Sequence, residues 1–147
     1  MTMLYTGLKA LHLLCAVLWV GGMFFAYVVL RPSLAAIDGP QRMLVQTGVH
    51  RRFFLVIWHA MPLILVSGFA MLGARWNMAT APWQINAMMG LGVVMSVLFL
   101  VIFFGPHRRF RRTTDRTRMA ASLSTIRTLI GVNLILGLVT VIIAGSL

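Results

Sequence analysis

Four histidines, eleven methionines and a single cysteine are the side chains here that could hold a metal. His12 and Cys15 lie in an uncharged run ending at Leu30, and His59 lies in a second run, Phe53–Ala74. His50 and His107 stand next to arginines, at the edges of such runs. Neutral imidazole ligates copper and haem iron alike, while thioether and thiolate sulfur select Cu(I). Hydrolytic chemistry lacks its materials. The only acids are Asp38 and Asp115, and no carboxylate pair, zinc-protease motif or phosphate-binding loop is present.

The elements that must position these residues follow from composition. A hydrophobic share of 60%, a charged share of 10% and a mean hydropathy of +0.92 exclude an ordinary soluble globule. The apolar residues gather in four uncharged runs: Ala10–Leu30, Phe53–Ala74, Trp76–Pro106 with its dense part Ile85–Phe104, and Thr128–Leu147. Each supplies the roughly 20 residues a helix needs to cross about 30 Å of hydrocarbon. Lipid cannot satisfy exposed backbone groups, so the spans are helices. The first run is longer than the roughly 7–15 apolar residues of a signal peptide and reads as a retained helix. The expected fold is an all-α bundle of four transmembrane helices. It forms one membrane domain over residues 1–147, with spans at about 8–30, 53–74, 84–105 and 126–146.

Arginine distribution sets the topology. Arg31, Arg42, Arg51 and Arg52 follow span one; Arg108, Arg109, Arg111, Arg112, Arg116, Arg118 and Arg127 follow span three. The opposite side holds only Lys9 and Arg75. The positive-inside rule puts both basic loops in the cytoplasm and both termini outside. The +11 charge then marks loops meeting anionic headgroups rather than a nucleic-acid surface. Arg31-Pro32 reads as the end of span one, Asp38-Gly39-Pro40 as a turn, and Gln41–His50 as a short interfacial helix. Trp76, Trp83 and Gln84 fit an aromatic belt. His50 and His107 read as solvated interfacial histidines.

Ionisable groups inside the membrane are the functional candidates. His12 lies near the outer face and His59 about 9 Å above the inner one, a difference of roughly 15–20 Å. That disfavours one haem clamped by both. Met71, Asn86, Met88 and Met89 share the outer level with His12, and suggest a His/Met copper site or a His/Met haem. Cys15, at i+3 from His12, reads as packing. Near the level of His59 lie Pro62, a candidate kink, and Asn133, which shares a face with Gly137 and Thr140. That stripe should face the bundle interior, because asparagine pointing at lipid is costly. Arg127 could reach a haem propionate, or snorkel to the interface.

Leu11-His12, Trp19 and Gly21-Gly22-Met23-Phe24 resemble the first helix of the copper-resistance D (CopD-like) family. So do Leu30-Arg31-Pro32-Ser33-Leu34, Gly39-Pro40-Gln41-Arg42, Arg52-Phe53-Phe54, Met88-Met89-Gly90-Leu91-Gly92 and Phe103-Phe104-Gly105-Pro106, along with Asn133-Leu134 and Leu136-Gly137-Leu138. The resemblance implies a bacterial inner-membrane protein of copper uptake or tolerance, whose larger relatives work with a periplasmic copper-binding partner. It matches His12 to a first-helix histidine. It also puts Asn86 where relatives carry a histidine, and Met89 where they carry glutamine. The spacing of His12, Trp19 and Gly22 is similar to HemJ-type protoporphyrinogen oxidases, which implies haem b. The third-helix lysine expected there is absent, since Lys9 is the only lysine. Three readings follow: a Cu(I)-handling protein using His12, Met71, Met88 and Met89; a haem-b redox protein using His12, His59, Asn133 and Arg127; and a non-catalytic subunit of a homo-oligomer or larger membrane complex.

Overall fold

The computed structural model describes residues 2–112 and 115–147. Four long helices carry the apolar runs: α1 (Met3–Ala36), α2 (Gly39–Arg75), α3 (Trp83–His107) and α4 (Thr117–Gly145). Their lengths of 34, 37, 25 and 29 residues correspond to about 38–56 Å at 1.5 Å per residue. Every helix therefore outruns the roughly 30 Å hydrocarbon core. This is an all-α, multi-pass membrane protein.

Two compact units divide the chain, residues 1–81 and 82–147. In the first, α1 and α2 pack as an antiparallel hairpin across the two-residue connection Ile37–Asp38. Pairs along its length define the register. The Arg75 guanidinium lies 5.5 Å from the Tyr5 ring centre, His12 meets Ser67, and Gly22 meets Phe53. Three buried residues of α1, Cys15, Trp19 and Met23, recur every four positions. An α-helix drifts at that spacing, since its turn holds 3.6 residues. Two stretches of i→i+5 π-helix, Val17–Gly21 and Phe25–Leu30, widen the turn and hold the four-residue stripe closer to one face.

Two expectations about this hairpin are corrected. Pro32 does not end the first helix. It interrupts the hydrogen-bond ladder, and the chain then runs on through Ser33 into a 3₁₀ turn, Leu34–Ala36. Ser33 Oγ donates to the Val29 carbonyl at 2.8 Å, the usual i−4 bond of a serine within a helix. Nor is Gln41–His50 a separate interfacial helix. It forms the opening turns of α2, unbroken through Arg51 and Arg52 into the apolar run, with Pro40 in the first turn where its missing N–H costs nothing. Arg42 closes the connection by donating to the Ala35 and Ile37 carbonyls at 3.0 and 2.9 Å. Those carbonyls stand at a helix end, where intrahelical donors have run out.

In the second unit α3 packs with α4. Met95, Ser96, Phe99 and Ile102 are buried on α3, and Ile126, Ile130, Asn133 and Leu134 on α4. The α3 helix ends in a third π-helical stretch, Phe103–His107, and continues as Arg108–Arg112. Asp115 caps the last helix by accepting from the Thr117 N–H at 2.9 Å. Asn133 is 2% exposed, Gly137 is buried and Thr140 is half-buried, so the polar stripe of α4 faces inward.

Lipid tails are as apolar as leucine, so these helices associate by close packing rather than by escape from water. Gly22 is where the first hairpin is tightest, because a Cβ there would lie 2.7 Å from Phe53 Cε2. Gly21, its neighbour, has open space. Gly22→Leu should destabilise the hairpin by about 1–3 kcal/mol, while Gly21→Ala should stay within about 0.5 kcal/mol. Denaturation in micelles measures both, and equal effects would show that this contact does not set the packing.

Candidate functional site

A side chain to side chain contact between α1 and α2 is built on His12. Its Nδ1 lies 3.1 Å from Ser67 Oγ. Ser67, 1% exposed, sits 2.6 Å from the Leu63 carbonyl and 3.1 Å from that of Ile64. A hydroxyl has one proton, and these carbonyls are acceptors within its reach. With that proton on the helix, the Ser67 oxygen accepts from His12 Nδ1–H, and in this tautomer of the neutral ring Nε2 carries the lone pair. A second-sphere bond of this kind is how metal-binding histidines are oriented.

Gly68 makes the room. A Cβ at that position would stand 3.1 Å from His12 Cε1 and 3.5 Å from Nδ1, tighter than ordinary contact. Ser67 and Gly68 were not among the candidates drawn from sequence. The signal available was a serine beside a glycine within an apolar run, where serine needs a local acceptor and glycine admits a neighbour. Met71 follows Ser67 at i+4 and is half-buried, so it lies one turn further along the same face of α2. Cys15 is buried at 3% exposure and free, as befits a packing residue.

His59 belongs to a different environment. It is exposed, and its Nδ1–H donates to the Leu55 carbonyl at 2.8 Å. Its polar proton is thus satisfied within its own helix. Ser67 stands eight positions beyond it, about 12 Å of rise, so His12 and His59 do not converge on one centre. Pro62 lies within α2, which continues through it as α-helix.

In the second unit, Asn86, Met88 and Met89 are half-buried near the start of α3. Asn133 Oδ1 is buried without a hydrogen-bond partner among the described residues. Arg127 is exposed, the state of an arginine extended toward an interface. His50 is half-buried, bonded to the Gln46 carbonyl at 2.8 Å and stacked on Phe54. His107 departs from the expectation of a solvated interfacial histidine. It is only 7% exposed, with its ring stacked on Phe103 at 5.6 Å, because the π-helical stretch turns it off the surface.

Among the described residues no three His, Cys, Asp or Glu side chains come together as a metal cluster. A soft metal held by this chain would therefore draw on thioethers beside imidazole. No curated protein and no solved structure matches the chain. The family model for copper resistance protein D matches residues 47–147. The match takes in Ser67, Gly68, Met71, Met88, Met89 and Asn133, and leaves His12 outside it. It covers well over half of the sequence, and this chain belongs to the copper resistance protein D family.

Proposed function

We propose that this protein handles Cu(I) in a bacterial inner membrane, with His12 as its first ligand. The termini lie outside and the arginine-rich loops in the cytoplasm, as the positive-inside rule requires. Family membership supports the copper association. The observation that supports the site is the His12 Nδ1···Ser67 Oγ contact, which in the Nδ1–H tautomer leaves Nε2 free to ligate. Met71 supplies a thioether one turn along the same helix face, and Met88 and Met89 are the candidate thioethers near the start of α3 in the second unit. Copper here is cargo rather than a resident cofactor. A soft site with few anionic ligands takes Cu(I) without burying carboxylates in lipid. The ion would arrive from a periplasmic copper-binding partner.

His59 is self-bonded and exposed and takes no part in this reading; neither do Asn133 and Arg127. Purified protein should bind Cu(I) stoichiometrically and lose it in His12→Ala. Wild type and His12→Ala binding alike would overturn the assignment. Ser67→Ala, which frees the imidazole without removing it, should weaken binding about 10–100-fold. Gly68→Ala, which crowds the ring, should weaken it in the same direction. Met71→Leu separates the contribution of the first unit from that of Met88→Leu/Met89→Leu.

An optical spectrum of haem-replete detergent-purified protein is the complementary check. The copper reading predicts a preparation without a Soret band. A Soret band that disappears in His12→Ala would assign the histidine to haem instead.

A further inference from the structure

The arginine end of α3 has features that copper handling does not use. A cleft of about 510 Å³ opens there, lined by Phe103, Phe104, His107, Arg108 and Arg112. One side is aromatic. Phe103 and Phe104 meet edge to face at 5.2 Å, and Phe103 stacks on His107 at an interplanar angle of 27°. The other side is cationic. Arg108 and Arg112, at i and i+4, share a face and are both exposed. Like charges at this spacing repel, and among the described residues no ion pair to an acid is seen for either. Among the described residues the ion pair on this loop is Arg118–Asp115, at 3.6 Å.

The cleft begins where the dense apolar part of α3 ends, at Phe104, which is headgroup depth for a helix crossing the membrane. The π-helical stretch Phe103–His107 contains Pro106, which has no N–H to give. The widened turn carries Phe103 and His107 onto the side that Arg108 and Arg112 complete. An anion between the two guanidiniums would offset their repulsion and accept forked, charge-assisted hydrogen bonds. A free ion would leave the phenylalanine wall unused. A phospholipid serves both sides, with its phosphodiester on the arginines and its glycerol and upper acyl chain on the rings.

We infer that this cleft is a binding site for the phosphodiester headgroup of one anionic phospholipid. Basic pockets at the cytoplasmic ends of membrane helices hold such headgroups. The inference stands independently of the copper site, since none of its residues is a proposed copper ligand.

The test is native mass spectrometry of the full chain, titrated with phosphatidylglycerol or phosphatidylcholine in detergent. One phosphatidylglycerol should be retained, with a preference of about tenfold over phosphatidylcholine. Arg108→Gln/Arg112→Gln should abolish the preference, and each single variant should lower it in part. These side chains are exposed, and monodispersity with a helical circular-dichroism spectrum reports that the variants fold. Arg51→Gln/Arg52→Gln removes equal charge from exposed positions on α2 and should leave the preference intact. Equal loss in the two double variants would mean diffuse attraction and overturn the site. So would the absence of any preference in the wild type. Displacement of the lipid by millimolar inorganic phosphate would reassign the cleft to the free ion and overturn the lipid assignment.

Discussion

Hydrocarbon offers a polypeptide no hydrogen bonds, and most of what is described above answers to that constraint. Backbone groups are satisfied by coiling into helices. Polar side chains inside those helices must find an acceptor nearby, and the shortest route is back to the same helix. Ser33, Thr47, His50, His59, Ser67, Ser96 and Thr140 all take it, bonding to a carbonyl four residues earlier. His12 instead contacts another helix, at Ser67. That contrast separates the two histidines of the first unit. His59 solves its desolvation problem locally and is free to face outward. His12 solves it by marking where α1 lies against α2.

The same constraint explains how much could be read from the chain alone. Apolar run length and arginine placement yield the four helices, because both follow directly from the cost of putting peptide and charge into lipid. His12 stands out for the same reason. The inward stripe of Asn133, Gly137 and Thr140 is legible as helical spacing plus the cost of exposing asparagine. Other features depend on cooperation between turns and leave no residue signature. The π-helical stretches of α1 and α3 are of this kind, and the third of them buries His107, which adjacent arginines had suggested was solvated. Pro32 misled in the opposite sense. Proline interrupts a hydrogen-bond ladder, but near a helix end the chain runs on through Ser33 into a 3₁₀ turn.

Ser67 and Gly68 illustrate a third case. Each is unremarkable by itself in a membrane helix, and their meaning comes from the histidine that packs on them. A partner more than fifty positions away cannot be read from local pattern. What can be read is that one small polar residue beside one absent side chain leaves a niche. The family match, over residues 47–147, includes this niche but not the ring that fills it.

The connection between α1 and α2 has a kinematic consequence. It consists of Ile37 and Asp38 alone, so Ala36 and Gly39 are three Cα steps, at most about 11 Å, apart, and Arg42 clasps the carbonyls on its approach. So short a tether leaves the two helices little freedom to slide past each other like pistons. A stroke of one helical turn, about 5.4 Å, is about half of that reach and would strain the clasp. Movement of His12 against Ser67 is thus restricted to swivelling of α1 about its own axis or bending at its π-helical stretches. In this hairpin the His12 ring has room to turn against Ser67 but little to be lifted away from it.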